Sequence, residues 1–317
     1  CNITNQSTAT GTDEAAALSR KYHSNQEGFP IHVLRQFGVR QTIEFFSSLG
    51  LPFVSLENGR MYPMSLQAAS VPGVFKLALE DRNVPVYYKH KVLDVTVSAG
   101  HPRFAITCQA ETEEQVVYTS DYLFLCAGGL TAPKTGTDGS GYTLVQRLGH
   151  TLINPVPGIV QLKLDYPYLK ELSGIKFEGE AHVIVNNEVI RTESGEILFT
   201  DYGISGPPIL QLSRKAAYNL GIGESVTLSV DLLPERTEEE LIDFLEIHWG
   251  IFGHRTLADS LIGIVSKKLI PVLLKEAGID QQLHLLCQDL SWKTKKIFYK
   301  ILKRWEFKVT DTNSFTN

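Results

Sequence analysis

The sequence predicts an α/β fold, α+β overall, assembled from more than one domain. Three observations carry this. The run Tyr122-Leu123-Phe124-Leu125-Cys126-Ala127 is continuously apolar and ends on Gly128-Gly129; that pattern fits a strand buried on both faces, as in a parallel sheet. From Ile159 to Leu233 strand signals dominate, and from Thr237 to Arg304 helical spacing takes over before strand character returns at Phe307-Lys308-Val309-Thr310. The chain has 317 residues, long for one core, so two or three domains are expected. The boundaries fall at 1–155 for an α/β domain, at 156–234 plus 305–317 for a β-rich domain, and at 235–304 for a helical insertion.

Along the chain, residues 13–23 and 32–49 show helical spacing, with Val33, Phe37, Ile43, Phe46 and Leu49 as the buried stripe and Gly50 as the stop. Glu57-Asn58-Gly59-Arg60 marks a turn. A helix over 71–82 precedes a short strand from Val84 to Tyr88 and a second from Lys91 to Ser98. Phe104–Ala110 and Glu114–Thr119 form an antiparallel pair. Tyr142–Leu148 reads as a helix closed by Gly149. In the β-rich part the strands are Val160–Leu164, Ala181–Val185, Glu196–Phe199 and Val226–Leu232. Thr237-x-x-Glu240 is a capping box, and Ser291 is the N-cap of the last helix.

Bulk properties exclude several classes. A formal net charge of -5 gives no global positive field for nucleic acid or anionic lipid. No apolar run is long enough to cross a bilayer. Cys1, Cys108, Cys126 and Cys287 lie far apart, which indicates reduced thiols in a cytoplasmic protein rather than a zinc cluster or a disulfide framework. The nine histidines lack metal-ligand spacing, so no metal is expected. Lys293, Lys295, Lys296, Lys300, Lys303 and Arg304 make the last helix basic, read as a solvated face over a buried stripe of Ile297, Phe298, Ile301 and Leu302. The chain opens on Cys1 and closes on Asn317 after a strand-like run, and it reads as a fragment cut at both ends.

Chemistry concentrates at a few stretches. Ala127-Gly128-Gly129 ends an apolar strand in small residues, which lets a ligand approach the main chain. Pro133-Lys134-Thr135-Gly136 opens a glycine-rich loop that leads through Gly141-Tyr142 into a helix, a pattern able to hold an anion. The Gly-Lys-Ser/Thr order of a P-loop is missing. The amide and hydroxyl groups of Cys1-Asn2-Ile3-Thr4-Asn5 can hydrogen-bond a heterocycle edge. Around Gly203-Ile204-Ser205-Gly206 the spacing is one residue short of a nucleophile elbow, which disfavours a serine hydrolase.

Together these stretches resemble one family, the bacterial NAD(P)/FAD-dependent oxidoreductases of the BaiN/YhiN type. The matching pieces are Cys1 to Asn5, the run from Phe45 to Pro52, Gly59-Arg60-Met61-Tyr62-Pro63, Ala127-Gly128-Gly129, Pro133 to Gly136 with Gly141-Tyr142, and Leu198-Phe199-Thr200 running into Gly203 to Pro207. The resemblance implies a partial Rossmann-like FAD-binding domain, an inserted β-barrel-like domain and a small helical domain. It implies FAD as cofactor, NAD(P)H as electron donor and an unidentified small-molecule substrate. Family members carry a G-x-G-x-x-G segment and an acidic ribose partner before the cysteine motif, and a glycine-rich segment beyond the point where this chain ends. Carried over residue by residue, Cys1, Asn2, Thr4 and Asn5 lie beside the flavin, and Val92 makes an adenine-side backbone contact. Ala127, Gly128 and Gly129 pass the cofactor, and Lys134, Thr135 and Gly136 form the loop near it. Asp201 departs from the family, where histidine is common, as does Cys126, where alanine is usual. No side chain stands out as a catalytic acid or base. The alternative from another class is a non-catalytic nucleotide-binding or scaffold protein that keeps the flavoprotein fold.

Overall fold

A computed structural model describes residues 2–6, 13–22, 26, 28–282 and 284–315. Contacts divide the chain into two compact units, residues 1–91 with 108–116, and residues 92–107 with 117–317.

The first unit holds a small antiparallel sheet of β1 (Thr4–Asn5), β2 (Phe53–Ser55) and β3 (Arg60–Pro63), in the order β1-β3-β2. Around it lie α1 (Glu14–Ser19), α2 (Ile31–Gln36), α3 (Val39–Ser48) and α4 (Ser70–Asp81). The helix expected over 32–49 is two helices. The break falls at Phe37-Gly38, where the carboxylate of Glu14 accepts the Val39 N–H at 2.8 Å and Gln41 accepts the Gly38 N–H at 3.1 Å. These side chains satisfy amides that a continuous helix would have bonded internally, so the second helix starts afresh. The break also turns Val33 and Phe37 outward, at 66% and 46% exposure, against the expectation that both are buried. Phe45, Phe46, Phe53 and Phe75 form an edge-to-face cluster instead, with ring centroids 5.3 to 6.4 Å apart. Val84 to Tyr88 forms no strand, and its side chains are exposed.

Three further strands, β4 (Lys91–Val97), β5 (Phe104–Gln109) and β6 (Gln115–Ser120), make a sheet in that order. The run from Tyr122 to Ala127 that follows is a second departure. It is extended but pairs with no strand among the described residues, and Tyr122 and Phe124 stand 83% and 86% exposed. An apolar run becomes a buried parallel strand only when neighbours supply ladder bonds on both sides.

After α5 (Ser140–Arg147) the second unit builds a closed barrel. Its strands are β7 (Leu162–Asp165), β8 (Lys176–Val185), β9 (Glu188–Phe199), β10 (Gly203–Ser205), β11 (Val226–Asp231) and β12 (Trp305–Thr312). They run round in the order β10-β7-β12-β11-β8-β9, and β10 pairs with β9 to close the ring. The short helix α6 (Leu169–Leu172) lies between β7 and β8. Asn186 and Asn187 join β8 to β9 with φ of 53° and 65°, the two left-handed residues that a tight hairpin turn with the strands' own twist requires. Alternate residues are buried, among them Ala181, Val183 and Val185 on β8 and Trp305, Phe307 and Val309 on β12. Phe199 is fully buried, its ring 5.8 Å from Phe177 and 5.6 Å from both Trp305 and Phe307. The helix α7 (Pro207–Gly221) packs Pro208, Ile209, Leu212 and Ala216 against β8, β9 and β12.

Between β11 and β12 the chain forms α8 (Glu238–Ile251), α9 (Leu257–Ser260), α10 (Ile270–Glu276) and α11 (Trp292–Lys303). The expected caps form. The Thr237 hydroxyl accepts the Glu240 N–H at 3.2 Å while Glu240 accepts the Thr237 N–H at 2.8 Å, and Ser291 caps α11 through the Thr294 N–H at 3.1 Å. Phe298, Ile301 and Leu302 of α11 are buried as the spacing predicts. Trp249 stacks on Tyr299 at 5.9 Å. Beside them the Glu246 carboxylate accepts from Lys295 at 2.6 Å and from the Tyr299 hydroxyl. Burial pushes the Glu246 carboxyl upward, but the hydrogen bonds from Lys295 and Tyr299 outweigh it and hold the group below its ordinary value of 4.5.

Phe199→Ala should lower unfolding free energy by about 3–5 kcal/mol, and Thr237→Ala by about 1 kcal/mol, read by urea titration. The Glu246 carboxyl is depressed in the fold, so its contribution to stability is complete above pH 4.5 and is lost as pH falls through the depressed value. The difference in melting temperature between the parent and Glu246→Gln should therefore be largest above pH 4.5 and shrink on acidification.

Candidate functional site

In the first unit, two of the motif stretches meet. Residues 2–5 run beside Gly59–Pro63: Thr4 pairs with Met61 and Asn5 with Arg60, and the Ile3 N–H donates to the Met61 carbonyl at 2.9 Å. Asn2 is exposed, and Thr4 and Asn5 are half-buried. Cys1 lies outside the described residues.

In the second unit, the end of the apolar run and the glycine-rich loop fold onto each other. The Gly139 N–H donates to the Gly129 carbonyl at 2.9 Å. The Thr137 hydroxyl accepts the Ala132 N–H at 2.8 Å, and the Thr135 hydroxyl donates to the Ala132 carbonyl at 2.9 Å. Gly128 has φ +71°, and a Cβ there would lie 2.5 Å from Cγ2 of Thr137; a Cβ on Gly129 would lie 3.0 Å from the Tyr142 hydroxyl. Glycine is therefore favoured at 128 by backbone and packing together, whereas at 129 the Tyr142 hydroxyl would have to give way slightly. Main chain nevertheless stays open at Ala127 and Gly128, which are exposed, while Gly129 is half-buried. Lys134 is exposed and makes no ion pair among the described residues. Gly136, at φ +95°, closes the short helical turn Pro133–Thr135. Val92 is half-buried on β4, and Arg147 of α5 reaches that strand through the Leu93 carbonyl at 3.3 Å and the Asp94 carboxylate at 3.1 Å. The structure thus gathers Ala127 to Gly136 into one loop and sets Val92 on a strand tied to the following helix.

The stretch Thr200–Pro207 leads from β9 through β10 into α7. Its turn is closed by the Thr200 N–H donating to the Gly203 carbonyl at 2.9 Å. Gly206 has φ +106°, and a Cβ on it would meet the Glu196 carbonyl oxygen at 2.2 Å. Ser205 is buried within the barrel wall, where it cannot serve as an exposed nucleophile, and Asp201 is exposed. Thr200 carries a buried hydroxyl with no hydrogen-bond partner among the described residues. Sequence reasoning did not single it out, although it stands inside the Leu198-Phe199-Thr200 stretch. A hydroxyl left unsatisfied in the interior is the kind of group a ligand completes.

Open main chain at Ala127 and Gly128 and a lysine without an ion pair among the described residues, in a glycine-rich loop, could hold an anionic group. A Rossmann-type segment of this kind, joined to a closed barrel with a helical insertion, defines a flavoprotein oxidoreductase. Residues 1–205 match the HI0933-like protein Rossmann domain, and residues 156–317 match the HI0933-like protein barrel and H2TH domain. The chain belongs to the HI0933-like family. A 3-dehydro-bile acid delta(4,6)-reductase of Clostridium scindens is 32% identical over 317 residues, all of this chain and 73% of that protein. Two ribosomal RNA dihydrouridine synthases match less of the chain. That of Escherichia coli is 28% identical over 185 residues, 55% of this chain and 43% of its own length; that of Haemophilus influenzae is 24% identical over 195 residues, 61% and 45%. No helix among the described residues is long and apolar enough to cross a membrane.

Gly128→Ala should lower stability by about 1–2 kcal/mol, because a left-handed residue gains a Cβ against a Thr137 already pinned by Ala132. Thermal unfolding of the variant checks this; a melting temperature equal to the parent's would show that the loop opens freely.

Proposed function

We propose that this protein is an FAD-dependent reductase, supplied with electrons by NAD(P)H, that saturates a carbon–carbon double bond conjugated to a ketone in a small molecule. The observation that carries the reading is the match along the whole chain to a reductase whose name specifies such double bonds. Cys1, Asn2, Thr4 and Asn5 would lie beside the flavin, Val92 at the adenine side, and Ala127 to Gly129 with Lys134 to Gly136 along the cofactor. When bound, FAD supplies the hydride or electron transfer, and the chain's own groups supply hydrogen bonds, orientation and exclusion of water. Residues 1–155 form the cofactor domain in this reading, 156–234 with 305–317 the barrel, and 235–304 the helical cover, in a cytoplasmic protein.

A small-molecule substrate is favoured over nucleic acid by the state of the basic helix. Lys295 is paired with Glu246 at 2.6 Å, Lys303 with Asp231 at 2.5 Å, Arg304 with Glu238 at 3.1 Å and Lys300 with Glu306 at 3.6 Å. Four of the helix's six cations are neutralised in this way and have little left for phosphates, which dominate affinity for RNA.

The full-length protein should purify yellow or take up added FAD, and NADH or NADPH should bleach the flavin absorbance under anaerobic conditions. Adding a steroid enone to the reduced protein should restore it. A colourless protein that takes up no FAD refutes the reading, and flavin that no donor reduces favours a non-catalytic nucleotide-binding role.

A further inference from the structure

The outer face of the barrel holds a polar cleft remote in sequence from every motif assigned to the flavin. Three adjacent strands build it. Ser229 on β11 pairs with His182 on β8 and with Glu306 on β12, which sets the three residues in one lateral row. Two residues further along, Asp231 pairs with Glu180. With Glu238 and Arg304 beside them, these side chains line a cleft of about 610 Å³.

Its chemistry follows from which groups are already occupied. The Lys303 ammonium spends its three N–H donors on Asp231 at 2.5 Å and on the carbonyls of Leu233 and Arg236. Arg304 is engaged by Glu238. Among the described residues Glu306 has only Lys300, at 3.6 Å. Glu180 accepts from the Ser194 hydroxyl at 2.9 Å and lies 3.4 Å from His182, whose other ring nitrogen is held by Thr192 at 2.8 Å. Four carboxylates in the lining, Glu180, Asp231, Glu238 and Glu306, face three cations, Lys303, Arg304 and the Lys300 that reaches Glu306, an excess of one negative charge with His182 neutral. The second observation is independent of charge. Ser229 is 3% exposed and lines the cleft, yet its hydroxyl makes no hydrogen bond among the described residues. The hydroxyl oxygen opens onto the cleft and is available to a donor that enters it.

A bare metal ion does not suit the place: no cluster of three metal-ligating side chains occurs among the described residues. The two carboxylates with the weakest commitments, Glu306 and Glu180, stand on strands with one strand between them, about 10 Å apart across the sheet by strand spacing alone. We propose that this cleft binds an extended organic polycation of the linear polyamine class. One terminal ammonium donates to Glu306, the other to Glu180, and a secondary ammonium between them donates to the Ser229 hydroxyl oxygen.

Spermidine titrated into the full-length protein by calorimetry tests this. One saturable site is expected, weakened about tenfold or more in Glu306→Gln and in Glu180→Gln, as loss of a charge-assisted hydrogen bond requires, and unchanged in the remote Glu113→Gln. Absence of saturation at about 10 mM ligand overturns the proposal. Equal affinity in parent and Glu306→Gln overturns it too, as does displacement of spermidine by an equal concentration of magnesium, which would leave only a general attraction for cations.

Discussion

Gly203 can carry no side chain. A Cβ there would lie 1.9 Å from the carbonyl oxygen of Leu162, at the point where β10 meets β7 and the barrel ring is completed. The constraint is repeated three residues on, where Gly206 combines a left-handed backbone with a backbone oxygen of Glu196 in the position of its missing side chain. Between the two, Ile204 and Ser205 pair with Phe199 and Leu198 and are buried. The three-residue strand is thus squeezed between β7 and β9 at distances only glycine permits. Because the ring closes there, each of the six strands has a paired strand on either side. The buried set from Leu162 to Val309 then shares one interior, and α7 is launched from the same corner against β8 and β9.

The Ala127–Tyr142 loop shows a different use of glycine. Gly128, Gly129 and Gly139 serve contacts within the loop itself, to Thr137, Tyr142 and Leu130. The loop thereby holds a fixed shape and still leaves Ala127 and Gly128 open to solvent. A preshaped main-chain ledge spends no ordering entropy when a dinucleotide is laid along it, which is why such loops recur in cofactor sites.

Much of the barrel and the insertion was legible in the sequence because their signals are local. Thr237-x-x-Glu240 and Ser291 fix helix starts through side chains three residues away, and the stripe of α11 follows from a single helix period. Ala181–Val185 and Glu196–Phe199 are only fragments of the long hairpin β8–β9, whose charged, solvent-facing residues such as Glu178 and Glu188 mask the alternation. Tyr122–Ala127 and Val84–Tyr88 misled for the opposite reason, since apolar and β-branched composition reports a preference for burial and not the presence of a ladder partner. At the site, the glycine pattern was visible, whereas the unsatisfied hydroxyl of Thr200 was not, because satisfaction depends on every group that folds around it. The row of His182, Ser229 and Glu306 is likewise set by register between strands far apart in sequence.

The helical block leaves the barrel after Asp231 and rejoins it at Trp305, and the two crossing points are clasped. Lys303 grips Asp231 and the carbonyls of Leu233 and Arg236, and the Leu232 N–H donates to the Leu302 carbonyl at 2.9 Å. Such a clasp makes the junction mechanically self-contained. The loops between its helices can lengthen or shorten while β11 and β12 keep their register, so diversification within this architecture has a natural place to occur.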